Sequence, residues 1–235
     1  MIQVDSLLYK IDQKLNKLST NEHQQIQLED KILALNEAQI KLIKQKVDST
    51  PSTKKRYEDI QKLVEEQKDH RLTLTESDSE LHRWTASLLN LVPTYMFYAD
   101  SYLLADKERC KNRIIWVNKD LVGYGDIQFF LNNTHYKPSF EYQETFNQLS
   151  SDEIAVFTDG TFTPTAVYLS YIRYPLYIDK TGYIKLDGSN SIDQDCELNA
   201  YLEDELVDLT VQSLAMYTEN SSAVQSAQMR IQTNE

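Results

Sequence analysis

Four histidines, two cysteines and a run of carboxylates are the residues of this 235-residue chain that chemistry would draw on first. His23, His70, His82 and His135 have no partners at metal-ligand spacing, and there is no H-E-x-x-H on any stretch. Each reads as an ordinary surface or core histidine. Cys110 sits among Lys107, Arg109 and Lys111, whose charge favours a thiolate. A nucleophile also needs a base, and no family signature supplies one. Cys110 and Cys196 show no C-x-x-C spacing, which points to a reduced intracellular setting without a disulfide framework. Gly123-x-Gly125 lacks the third glycine of a phosphate loop. The carboxylates of Glu203–Asp208 are dense enough for a metal or hydrolytic pair. Their simpler reading is the solvated outer face of an amphipathic helix. The residue types therefore supply no catalytic residue, cofactor motif or metal ligand set.

The formal net charge of -12 argues against a phosphate-tracking DNA reader, whose affinity comes from Lys and Arg. It is compatible with a protein that surrounds DNA without gripping it. Leu186–Met229 carries no Lys or Arg, whereas Lys41–Arg71 is rich in both. Such opposite-signed segments could meet in neighbouring copies, and solvated faces are the plainer account. Tyrosine stands at 15 against 7 Phe and 2 Trp, which suits half-buried sheets and surfaces that are wet when free and covered when bound. Met1–Leu18 carries Asp5, Lys10, Asp12 and Lys14, unlike a signal peptide, and no apolar run approaches a membrane span.

Those residues must be held by elements that the spacing predicts. Asp5 or Ser6 caps a first helix with Leu7, Leu8, Ile11, Leu15 and Leu18 on one face. A second helix runs over about Leu28–Lys46, and the two form a hairpin whose apolar stripes must dock elsewhere. Further helices are expected over Lys54–Asp69 and Glu76–Leu91, on either side of a short extended Arg71–Thr75. Strands are expected over Tyr95–Ala105, Asn112–Asn118, Phe140–Gln148, Ile154–Thr158 and Ala166–Tyr174, with a short helix within Lys119–Asn132. Asp159-Gly160 is a hairpin-type signal, and Pro164 keeps Thr161–Thr165 out of a central strand. A small hairpin turns at Lys180-Thr181-Gly182, and a last helix covers about Cys196–Tyr217. The fold class is α+β: N-terminal helices and a C-terminal helix packed as a bundle, with an inserted antiparallel β-rich part. The boundaries are a helical region 1–92, a β-rich region 93–187, a returning helix 188–220 and a polar tail 221–235. Both faces of Ala166–Tyr174 are apolar enough for an interface. Tyr168, Tyr171, Arg173 and Tyr174 are the contact candidates there, joined by Met229 and Ile231 of the tail.

The segment Glu153–Asp179, with its DGTFTPT connection and VYLSYIRYP strand, resembles virion structural proteins of crAss-like tailed phages. Asp193–Glu219, an acidic lead-in followed by an amphipathic helix, is similar to the closing helix of head–tail connector subunits of short-tailed phages, the tail tubular protein A type included. LYKIDQKLNKL and KILALNEAQIKLI also look like helices of this group. The resemblance implies a non-enzymatic head-to-tail adaptor in the virion neck, synthesised in the host cytoplasm. It implies a homo-oligomeric ring, a dodecamer, beneath a portal protein, with a tail nozzle or further rings beyond. No cofactor, sequence-specific nucleic acid or membrane is implied. An acidic lumen would repel DNA phosphates and let the genome slide. Another tail or collar ring, or a metal-dependent accessory enzyme using the acidic helix, are the alternative expectations.

Overall fold

The computed structural model describes residues 1–18, 26–48, 59–117, 121–185 and 188–217. In chain order, helices α1 (Val4–Leu18) and α2 (Leu28–Asp48) come first. Strands β1 (Val64–Glu65), β2 (Arg71–Thr73), β3 (Thr75–Asp78), β4 (Arg83–Ser87), β5 (Tyr95–Lys107) and β6 (Cys110–Val117) follow. Helix α3 (Ile127–Asn132) precedes β7 (Glu144–Thr145), β8 (Asn147–Ser150), β9 (Glu153–Phe157) and β10 (Thr163–Arg173), and α4 (Glu203–Tyr217) closes the described chain. The fold is α+β. It divides into a helical unit, Met1–Lys62 with the chain from Pro175 onward, and a β unit, Leu63–Tyr174.

In the helical unit α4 packs against both α1 and α2. Leu7 and Ile11 of α1 are buried, as are Ile32, Leu35, Gln39, Leu42 and Ile43 of α2. On α4, Leu206, Val207, Asp208, Leu209, Thr210, Val211, Leu214 and Ala215 are all buried. A helix covered on most of its circumference is the central one, and α4 is less amphipathic than its leucine stripe predicts. The first cap also differs from the expected one. Val4 begins α1, and its N–H donates to Asp195 Oδ1 at 3.0 Å, so a distant residue does the capping. Asp5 and Ser6 fall in the first turn.

The expected hairpin at Lys180-Thr181-Gly182 is replaced by a wider loop. Ile184 bridges Asn190 and Asp179 bridges Gln194. Asp179 is its pin. The carboxylate accepts from Lys185 Nζ at 2.7 Å, Tyr183 Oη at 2.8 Å, and the backbone N–H groups of Lys180 at 2.9 Å and Ile192 at 3.1 Å. Asn36 of α2 anchors the same segment, giving its amide to the carbonyl of Ile178 and accepting the Ile178 N–H, both at 2.8 Å.

The β unit is a sandwich. One sheet runs β1-β10-β5-β6-β7, with β2 also paired to β10, and the other runs β3-β4-β9-β8. Between them lie Leu103, Ala105, Ile115, Val167, Leu169 and Tyr171 from the first sheet and Ala86, Ile154 and Val156 from the second. The outer side of β9 carries Ala155 and Phe157, which pack with Val122, Phe146, and Ile127, Phe130 and Leu131 of α3. A third layer of helix and loop thus covers the second sheet.

Several expectations are corrected here. The helix expected over Glu76–Leu91 is β3 and β4. Trp84, Ala86 and Leu88 satisfy a period of two as well as Trp84, Leu88 and Leu91 satisfy a helix, and Asp78 turns the chain by accepting the N–H groups of Glu80 and Leu81. Lys54–Asp69 forms no α-helix in its described part, 59–69, which holds only two short 3-10 turns, Gln61–Leu63 and Gln67–Asp69, on either side of Val64 and Glu65, which pair with Ile172 and Tyr171. Residues 54–58 lie outside the described residues. The strand expected over Phe140–Gln148 is split, because the chain passes there from β7 in one sheet to β8 in the other. The helix expected within Lys119–Asn132 is confined to Ile127–Asn132 among the described residues.

The connection at Asp159-Gly160 is not a hairpin either, since β9 and β10 belong to different sheets. Gly160 does need to be glycine: its φ is +77°, and a Cβ there would meet the His82 ring. Pro164 lies inside β10, opposite Ala105, beside a register shift. At that point, among the described strands, β10 pairs with β5 alone, since β2 begins its pairing at Ala166, so the proline sits where the strand is an edge on one side.

Candidate functional site

Tyr168, Tyr171, Arg173 and Tyr174 do not form one surface. Tyr171 is wholly buried in its own sandwich, with its hydroxyl donating to the Pro93 carbonyl at 2.6 Å and its ring against His70 and Tyr95. Burial, reinforced by the Glu65 charge, pushes its hydroxyl up to about 12, so it stays protonated. Arg173 gives its Nε to Glu65 at 3.0 Å across the β1 edge. Tyr174 is 47% exposed at the end of the strand. Met229 and Ile231 lie outside the described residues.

The chemistry-bearing clusters resolve into structural pairs. The carboxylates of α4 are engaged by lysines, and all but Asp204 are largely covered. Lys10 meets Glu203 at 3.0 Å and Asp204 at 2.9 Å, Lys14 meets Asp208 at 2.7 Å, and Lys46 meets Glu205 at 2.9 Å. The basic segment Lys41–Arg71 thus meets the acidic one within one chain through Lys46 on the α2–α4 contact, while Lys10 and Lys14 reach α4 from α1. Cys196 is buried, bridging Ile2, and burial pushes its thiol up to about 11. Among the described residues no group of three or more His, Cys, Asp and Glu side chains could hold a metal ion. Among them also, no helix is long and apolar enough to cross a membrane.

Tyr168 leads to the surface with most potential. It pairs with Tyr102, and Tyr102 pairs with Trp116, so the three rings form a row across β10, β5 and β6. Tyr102 and Tyr168 stack at 4.8 Å with planes 6° apart, each using a face on the other. Trp116 ends the row, tilted 59° to Tyr102 and 57% exposed. Ile114, two residues back along β6, is exposed as well.

Beside Trp116 lies a pocket of about 360 Å³, lined by Trp116, Val117, His135, Tyr136, Glu144, Thr145 and Phe146. The parallel pairing of β6 with β7 sets Glu144 next to Trp116 and Thr145 next to Val117. Glu144 is fixed through its backbone, which exchanges both hydrogen bonds with Ser139 at 2.9 and 3.1 Å. The floor is rigid: Thr145 gives its hydroxyl to the Phe157 carbonyl at 2.6 Å, and the Phe146 ring stacks on Phe157 at 4.8 Å. His135 and Tyr136 come from the turn after α3. Asn133 shapes that turn by accepting the His135 N–H at 2.9 Å on its side chain and the Tyr136 N–H at 3.1 Å on its carbonyl. Tyr136 leans on Phe129 and Phe130, and Phe130 on Phe146, so the wall is tied to the core beneath.

Neither the protein-family models nor the curated proteins give a match to this chain. The site therefore rests on its geometry. Trp116 lies in the strand expected over Asn112–Asn118, whose alternation is the signal that could have marked it as outward. The partnership with Glu144 was not legible, because parallel pairing between β6 and a two-residue strand leaves no trace in spacing. Nor does spacing bring the His135-Tyr136 turn to the same place.

Proposed function

We propose that this chain is a non-enzymatic structural subunit of a phage virion, a head-to-tail adaptor that assembles with copies of itself into a ring beneath the portal. The observation that carries the reading is the chain organisation. A helical unit drawn from both ends of the described chain receives a β-sandwich as one continuous insertion, a two-part subunit suited to separate contacts with neighbours and with the tail. The outward aromatic row of Tyr168, Tyr102 and Trp116, with exposed Ile114 beside it, supports it as a surface suited to cover by another subunit. The net charge of -12 fits a channel wall along which DNA slides. The pairing of the α4 carboxylates with lysines supports a structural role for them over a metal-binding one.

The test is electron microscopy of the purified chain alone and mixed with its cognate portal protein. Rings capping the portal are the expected result. Rings that form without portal binding would move the assignment to another collar or tail ring, and a chain that stays monomeric with portal at high concentration would overturn the reading.

A further inference from the structure

We infer that the pocket beside Trp116 receives the cationic head of an arginine side chain from another polypeptide. The lining combines an exposed indole, a phenol 51% exposed and a carboxylate on one rigid floor. The Trp116 indole N–H, the Tyr136 hydroxyl, the His135 ring and the Glu144 carboxylate make no hydrogen bond or ion pair with any described residue. All four belong to residues that line this one pocket, and the described fold does not use these groups. Tryptophan and tyrosine faces attract cations through the ring quadrupole. A carboxylate beside them selects a donor of positive charge, and a planar guanidinium satisfies both, stacking on the ring and donating to the two oxygens.

The competing ligands fit less well. A metal ion needs several donors, and Glu144 is the one carboxylate among the described lining residues. A neutral sugar would ask for hydroxyl partners on the floor, where Thr145 already donates to Phe157 and Phe146 and Val117 are apolar. A free amino acid would bring its own carboxylate, and the described lining holds no lysine or arginine to meet it. An arginine within a polypeptide has no such charge, and the chain's net charge of -12 draws it in. The site is complete within a single copy of the β unit, so its binding is read on the unassembled chain, before the row that Trp116 ends is covered by another subunit.

The chain has only 2 tryptophans, Trp84 and Trp116, which makes the indole N–H resonances a direct reporter. Full-length protein is titrated with N-acetyl-arginine-amide, with free arginine and with glucose, at low and high salt. The expected result is a saturable shift of the Trp116 indole and none of Trp84, weaker binding of free arginine, no response to glucose, and weakening by salt. Glu144→Gln should reduce affinity about fivefold, the size of one exposed charge contact. Tyr136→Leu, which keeps the packing on Phe129 and Phe130, should reduce it about threefold. A silent Trp116, an undiminished affinity in Glu144→Gln, or a glucose response equal to that of the arginine amide would each overturn the inference.

Discussion

A buried charge shows most directly what single residues contribute here. Asp179 is 1% exposed, yet it remains ionised. Burial alone would raise its carboxyl. The Lys185 ammonium, the Ile192 N–H, the Tyr183 hydroxyl and the Lys180 N–H outweigh that and hold it below the ordinary value of 3.8. The unfolded chain therefore takes up this proton first as pH falls. The stabilisation is complete above the ordinary value and is lost as pH drops through it towards the lowered one. Asp179→Asn should cost about 2–3 kcal/mol at neutral pH, since it weakens charge-assisted hydrogen bonds in a closed site. That difference should shrink in acid, where the wild type loses the same charge. Urea denaturation of both proteins at pH 7 and at pH 3 measures it, and an unchanged gap would contradict the assignment. From sequence, Asp179 is one acid among many in an acidic half. Its role depends on Ile192 and Lys185 returning to it, which local spacing does not encode.

At the scale of elements, the last helix, expected over about Cys196–Tyr217, is shorter than expected, since α4 starts at Glu203 after a 3-10 turn over Ala200–Leu202. Its leucines predict a stripe, and the stripe exists. What spacing cannot convey is that α1 and α2 both lie against it, so that Asp208 and Thr210 are buried along with Leu206 and Leu209. Lys14 makes the buried Asp208 tolerable, and Lys10 and Lys46 engage the first-turn acids. Leu206→Ala should destabilise the helical unit by about 2–5 kcal/mol, the range for a fully buried leucine cut to a methyl. Helix ellipticity followed through a denaturation series is the measurement, and a loss below about 1 kcal/mol would show that α4 is not the centre of its unit. The β3–β4 region shows the opposite failure. Trp84 and Leu88 are four apart, so they fit one helix face and one strand face equally well. The decision fell to β9, which pairs with the whole of β4.

For the whole molecule, the question is whether the β-sandwich is a separable body. The sequence marks only one of its two edges. Pro175 stands immediately after the last residue of the β unit, whereas the entry between Lys62 and Leu63 has neither proline nor glycine, and the expected boundary at 92–93 followed Pro93 instead. The structure supplies the missing criterion. Val64 pairs with Ile172 and Glu65 with Tyr171, antiparallel, so the chain enters and leaves through adjacent strands. An insertion with neighbouring ends can be cut out without opening its own sheets. Its core joins both sheets through Leu103, Ile115, Ile154, Val156 and Leu169, all fully buried. A domain of about a hundred residues with such a core is large enough to fold alone. Residues 63–174 expressed by themselves should therefore give sheet-type circular dichroism and one cooperative thermal transition. Tyr171→Phe in that fragment should lower stability by about 1 kcal/mol, because the Pro93 carbonyl loses its donor. The same variant separates a core tyrosine from a contact tyrosine, since only a core role makes the isolated fragment sensitive to a single hydroxyl. A fragment with no cooperative transition would mean that the sandwich depends on the helical unit for its fold.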